Sequence, residues 1–173
     1  LGALSLTSSG STINLNSALT STGAVAMTAN SGLNLNNIAL TGAGNITLQG
    51  GTGLTLASGM GITSSAGSIT LGASGGTIAA NGALTLSSNG SITVSNTFTS
   101  AGAATLNANS GISIGTNFTA NGAVAIDADL DNNGAGDFTI SAGTLSTTNN
   151  ALTVTANDIA MTGAIDSGTG STT

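Results

Sequence analysis

Gly82-Ala83-Leu84-Thr85-Leu86, Ser91-Ile92-Thr93-Val94 and Thr97-Phe98-Thr99 are followed twenty residues later by Gly102-Ala103-Ala104-Thr105-Leu106, Gly111-Ile112-Ser113-Ile114 and Asn117-Phe118-Thr119. Each unit holds three short runs in which apolar residues alternate with Thr, Ser or Asn, the period-two pattern of a strand with one buried face. Leu84, Leu86, Ile92, Val94 and Phe98 point one way, and hydroxyl and amide side chains point the other. Three strands per unit, repeated at one length, describe a three-sided coil.

Working outward in this register gives a first column of Leu4, Val25, Ile46, Ile69, Leu84, Ala104, Val124 and Leu152, about eight turns of one unit. A second column runs Ile13, Leu33, Leu54, Ile92, Ile112 and Ile159, and a third runs Leu19, Leu40, Ile62, Ile78, Phe98, Phe118 and Phe138. Such columns stack only if successive turns lie parallel, so the expected fold is an all-β parallel β-helix. At roughly 4.8 Å per turn, about eight turns make a rod on the order of 40 Å long. Helix is a poor alternative, because no segment places apolar residues at i, i+3, i+4 and i+7, and Gly, Ser, Thr and Asn are weak helix formers. An antiparallel hairpin array would suit the Asn81-Gly82, Asn89-Gly90 and Asn121-Gly122 turns. It would not require repetition at a single coil length.

The period breaks twice. Only fifteen residues separate Gly67 from Gly82, where a missing side or a register shift is expected, and twenty-eight separate Gly122 from Asn150, with 141–149 as added wall or loop. The strand pattern is already running at Leu4 and Leu6, and a Gly/Ser/Thr stretch follows Ile165. Residues 1–173 are therefore expected to form one β-helix segment of a longer repeat array.

Composition narrows the function. Lys, Arg, His, Cys, Pro, Trp and Tyr are absent from the 173 residues, and the six acids, all Asp, give a net charge of -6. No general-base His, Schiff-base Lys, thiolate or Cys/His zinc site can be assembled from these residues. With no basic side chain to neutralise phosphates, nucleic acid and anionic lipid headgroups are poor partners. A hydrophobic fraction of 39% is too high for a solvated disordered tail, yet no apolar run reaches the length of a membrane helix. No disulfide can form, and trypsin-like proteases find no Lys or Arg.

The units Gly82 to Val94 (Gly-Ala-Leu-Thr-Leu-Ser-Ser-Asn-Gly-Ser-Ile-Thr-Val) and Ala151 to Gly170 (Ala-Leu-Thr-Val-Thr-Ala-Asn-Asp-Ile-Ala-Met-Thr-Gly-Ala-Ile-Asp-Ser-Gly-Thr-Gly) resemble the repeats of filamentous-haemagglutinin-like exoproteins. Those are two-partner-secretion adhesins of Gram-negative bacteria. The resemblance spans nearly the whole chain and implies a right-handed parallel β-helix displayed outside the cell. The family's amino-terminal secretion domain is not recognisable in the chain.

One segment departs from neutrality. Four of the six Asp fall within Asp127-Ala-Asp129-Leu-Asp131-Asn-Asn133-Gly134-Ala-Gly-Asp137. From Asp129 this reads D-x-D-x-N-G-x-x-D, the first half of an EF-hand-type calcium loop. Asp129, Asp131, Asn133 and Asp137 are the candidate Ca2+ ligands, Gly134 the turn and Ala135 a backbone carbonyl; Ile140 stands where an EF-hand has its bidentate Glu. The alternative is a solvated acidic loop. Counting by twenties aligns Asp127 with Asn107 and Ser87, Asp129 with Asn109 and Asn89, and Asp137 with Asn117 and Thr97, and puts Asn132 and Gly134 where Ile112 and Ile114 stand. The second strand of that coil is thus expected to be lost. The Phe98, Phe118, Phe138 column reads as a buried stack rather than a sugar platform, since each replaces a Leu or Ile. Thr-x-Thr ranks are not sustained from coil to coil, against an ice-binding face, and the Asn-x-Ser/Thr sequons at Asn45, Asn89 and Asn117 are expected by chance in such a composition.

The expectation is a non-enzymatic structural and adhesive rod of a bacterial surface or extracellular filament, associating end to end with itself and touching surface glycans or a host or neighbouring cell. A calcium-stabilised binding module is the alternative. A polysaccharide-active enzyme would have to work with Asp127, Asp129 and Asp131 alone, with no Lys, Arg, His or surrounding aromatics to hold sugar.

Overall fold

Aliphatic residues alternating with Thr, Ser and Asn favour extended backbone, and the Gly, Ser and Asn that interrupt them every few residues allow sharp corners. In a computed structural model that describes residues 2–173, these runs form 23 short strands and no helix among the described residues. No helix of the described residues is therefore long and apolar enough to cross a membrane. The strands pair in parallel into three sheets, which wind as a β-solenoid of about eight coils of about 21 residues.

The first sheet holds Leu4–Ser8, Val25–Ala29, Ile46–Gly50, Ile69–Ala73, Ile92–Val94, Ile112–Ile114, Phe138–Ile140 and Ile159–Met161. The second holds Ile13–Leu15, Gly32–Leu35, Gly53–Leu56, Thr77–Ala80, Phe98–Ser100, Phe118–Ala120, Thr144–Ser146 and Ala164–Asp166. The third holds Leu19–Ser21, Ala39–Gly42, Met60–Ser64, Leu84–Ser88, Ala104–Ala108, Val124–Asp127 and Leu152–Thr155.

The fold class follows the sequence; the columns need correcting. Gly67 opens a first-sheet strand and Gly82 a third-sheet strand, so the fifteen-residue interval is two sides of a full coil and nothing is missing. Below Ile69 the first sheet continues through Ile92, Ile112, Phe138 and Ile159, not through Leu84. Leu84, Ala104, Val124 and Leu152 belong to the third sheet. Ile78, Phe98 and Phe118 continue Leu54 in the second sheet and lead to Leu145, whereas Ile62 is followed by Leu86. The reason is that all three sides carry the same apolar and polar alternation, while the central coils are longer than twenty residues. Ile46, Ile69 and Ile92 are twenty-three apart, and a twenty-residue count slips onto the next side there.

The expected insertion over 141–149 is also misplaced. Val124 to Leu152 spans eight residues more than Ala104 to Val124, but six of the eight lie between Asp127 and Phe138. Thr144–Ser146 is a regular wall strand against Phe118 and Thr119. The first-sheet strand of that coil is displaced rather than lost, to Phe138–Ile140.

Inside, the three sheets enclose one continuous apolar core from Val25 to Leu152. Phe98, Phe118 and Phe138 are all fully buried, as expected, but only Phe98 and Phe118 share a column, their rings stacked at 4.3 Å and 13°. Phe138 packs between Ile112 and Ile159 in the first sheet. At several strand ends the inward residue is a buried Ser that bonds a corner carbonyl about one coil away. Ser21 Oγ donates to Gly2 O at 2.6 Å, Ser64 to Gly44 at 2.9 Å, Ser88 to Gly67 at 2.7 Å and Ser100 to Gly82 at 2.8 Å. Each hydroxyl gives a buried donor its partner and ties a strand end to the corner of the adjacent coil.

The stack and the wall should respond differently to truncation. Phe118→Ala is expected to cost about 3–5 kcal/mol through the cavity it leaves, whereas Thr85→Ala, on the exposed face of its strand, should stay within about 0.5 kcal/mol. Guanidinium unfolding followed by circular dichroism separates the two.

Candidate functional site

Among the described residues, the acidic segment between Asp127 and Phe138 is the longest stretch between consecutive strands. Ala128 is still anchored, its N–H donating to Thr155 O at 2.8 Å and its carbonyl accepting from Gly111 N at 3.0 Å. Asp129 is then buried, 8% exposed, and its carboxylate closes the turn. Oδ1 accepts from Asn133 N at 3.2 Å and Oδ2 from Gly134 N at 3.0 Å, while its carbonyl accepts from Asn132 N at 2.8 Å. Asn132 and Gly134 hold left-handed conformations, φ 52° and 78°, which Asn and Gly tolerate best. Gly136 passes so close to the Ala128 carbonyl oxygen that a methyl group would collide with it. Its own carbonyl accepts from Asn157 N at 2.8 Å, and Asp137 O accepts from Ile112 N at 2.9 Å as the chain rejoins the first sheet.

Of the four expected calcium ligands, Asp129 faces inward to the backbone while Asp131 and Asn133 pair with each other at the exposed tip, Asn133 Nδ2 donating to Asp131 Oδ2 at 2.9 Å. Asp137 stands apart, taking a 3.4 Å bond from Asn157 Nδ2. Among the described residues no three acidic side chains come together in a group able to hold a metal ion. The displaced strand also changes the alignment. Asp127 keeps its place beside Asn107, but Asp137 lies in line with Gly111 and Asp158, not with Asn117 and Thr97. Asn157 and Asp158 were missed by sequence reasoning, because their place beside Asp137 is legible only once Ile159 is paired with Phe138.

What the loop does build is a groove of about 260 Å³ against the first-sheet wall. Its floor is the outward ladder Thr93, Ser113, Thr139, and Ser91, Ser110, Ala135 and Asp137 form its rim. Hydroxyls that both donate and accept, with one carboxylate and no positive group, suit a neutral polyhydroxyl or a cationic group and disfavour an anion. The hydroxyls have no His or Lys nearby to activate them as nucleophiles, since the chain has neither.

These features define a class, the parallel β-solenoid with a largely neutral wall and one acidic loop. Comparison of the chain with family models, curated proteins and solved structures gives no match.

Removing the Asp129 carboxylate should free two backbone N–H groups. Asp129→Ala is expected to weaken the loop locally by about 1.5–3 kcal/mol and to speed hydrogen exchange at Asn133 and Gly134, while Asp131→Asn leaves those amides protected. Because no three acidic side chains gather among the described residues, millimolar calcium is expected to leave the melting temperature unmoved. A rise of several degrees would show that the loop rearranges to gather them.

Proposed function

We propose that the chain is a section of a structural and adhesive rod, part of a bacterial cell-surface or extracellular fibre that makes contact through its hydroxyl-rich wall. The observation that carries this reading is the pairing of an unbroken apolar core with outer walls of stacked, mostly neutral side chains, an architecture that extends in one direction. Amide ladders run along the wall, Asn34 Nδ2 donating to Asn14 Oδ1 and Asn36 Nδ2 to Asn16 Oδ1, each at 2.9 Å. Such rows stiffen a rod and leave donors and acceptors facing outward for glycan hydroxyls. The groove beneath the acidic loop offers a sugar the hydroxyls of Ser91, Thr93, Ser110, Ser113 and Thr139. The resemblance to two-partner-secretion adhesin repeats supports an extracellular setting in a Gram-negative bacterium. The absence of Lys and Arg, which denies trypsin-like proteases a site, agrees with it.

Antibodies raised against the folded chain test the reading on cells that produce it. Immunogold labelling of surface appendages on intact cells is the expected result. Labelling that appears only after permeabilisation would overturn it.

A further inference from the structure

Asn-Gly pairs stand at three corners and in the acidic loop: Asn81-Gly82, Asn89-Gly90, Asn121-Gly122 and Asn133-Gly134. In such a pair the glycine nitrogen can close on the asparagine Cγ, because glycine has no Cβ to shield its amide and turns freely. The N–Cγ bond forms as the Cγ–Nδ2 bond breaks, and the glycine amide proton leaves with the side-chain nitrogen as ammonia. Water then adds to either carbonyl of the resulting succinimide and opens the ring, to aspartate or to isoaspartate. Two of the pairs are held against this reaction. Gly90 N donates to Gly67 O at 2.9 Å and to Ser88 Oγ at 3.2 Å, and Asn89 Nδ2 donates to Ser65 O at 2.6 Å. Gly134 N donates to Asp129 Oδ2 at 3.0 Å and Asn133 Nδ2 to Asp131 Oδ2 at 2.9 Å. A carboxylate at the glycine amide also opposes the amide anion that must attack.

The other two pairs are free to react. Among the described residues Gly82 N, Gly122 N and the Asn81 side chain make no hydrogen bond, and Asn121 accepts only a 3.4 Å bond from Thr148 Oγ1. Asn81 and Asn121 are both exposed. Each follows the last residue of a second-sheet strand, in the corner column Asn36, Ala57, Asn81, Ala101, Asn121. Asn36 has Asn16 one coil away and bonds to it at 2.9 Å, whereas Asn81 has an alanine on each side. The glycines are fixed by packing: a Cβ on Gly82 would stand 2.0 Å from Ser58 Oγ, and one on Gly122 2.6 Å from Ala103 N. We infer that Asn81 and Asn121 are modification sites, at which the folded chain cyclises and hydrolyses to a carboxylate without an enzyme while Asn89 and Asn133 stay intact. This inference is independent of the rod reading. Each event takes the net charge one unit below -6 and sets a new acid on a wall with no cation to offset it. The isoaspartate product also adds a carbon to the main chain at the corner, between Asn81 N, which donates to Leu56 O, and Gly82 O, which accepts from Ser100 Oγ.

Incubation of the purified, folded chain at mildly alkaline pH, followed by peptide mapping with mass spectrometry, tests the inference. Trypsin has no site in the chain, so elastase supplies the peptides. Asn81 and Asn121 are expected to convert first, each to a mixture of aspartate and isoaspartate. Asn89 and Asn133 should convert at least about fivefold more slowly, the factor that one or two backbone hydrogen bonds supply. The same incubation in denaturant removes those bonds and should bring all four sites to similar rates. Conversion of Asn89 or Asn133 as fast as Asn81 in the folded chain would overturn the proposal. So would a denatured chain that keeps the folded order, which would mean that neighbouring residues and not the corner bonds decide it. Because the readout is a covalent change in the purified chain, it fails or holds regardless of where producing cells display the protein.

Discussion

Everything in this molecule depends on the parallel backbone ladder that binds each coil to the next in register. Because the ladder runs along the rod axis at one strand spacing, each side chain faces the residue in its own column above and below, at a distance where its chemistry is felt. A like charge at successive column positions would repel along the whole rod, whereas Thr, Ser and Asn can bond to one another. The described wall follows that rule: Asn14 meets Asn34, Ser68 meets Ser91 and Thr153 meets Thr173. The few acids mostly sit beside neutral neighbours, Asp127 between Asn107 and Thr155 and Asp166 beside Ser146. Where two acids do adjoin, at Asp137 and Asp158, the Asn157 amide donates to Asp137.

The same ladder governs the interior. Columns of Leu, Ile and Val form one buried cluster because each layer repeats the shape of the one before, and two phenylalanines stack where the column places them one coil apart. Corners are the weak point of such a core, since the backbone turns there and its carbonyls lose their strand partners. The buried serines answer this locally, and their columns also accept alanine, as Ser88 over Ala108 and Ser100 over Ala120. Alanine fits the space and gives up the hydrogen bond, so the serine acts as a corner tie.

A fold of this kind does not by itself name a function. What it provides is length and stiffness, with a polar wall along them. The acidic loop is the one interruption. It forms where six residues enter between the third and first sheets and are held by Asp129 against the backbone, which leaves Asp131 at the exposed tip and Asp137 at the groove.

The sequence by itself determined the strand content, the three-sided parallel winding, the number of coils and the inward and outward faces, because alternation and coil length are properties of neighbouring residues. It also marked the acidic segment, and the burial of all three phenylalanines. Which side each strand belongs to was decided only by the tertiary structure. The three sides share one pattern, and a coil of twenty-three residues in place of twenty shifts every later strand by a side without changing its alternation. The Asp129 turn was likewise beyond the sequence, since a D-x-D-x-N-G spacing serves a metal or a backbone staple equally well. The tertiary structure ties Ala128, Gly136 and Asp137 to neighbouring coils, and this folds Asp129 inward onto the Asn133 and Gly134 amides.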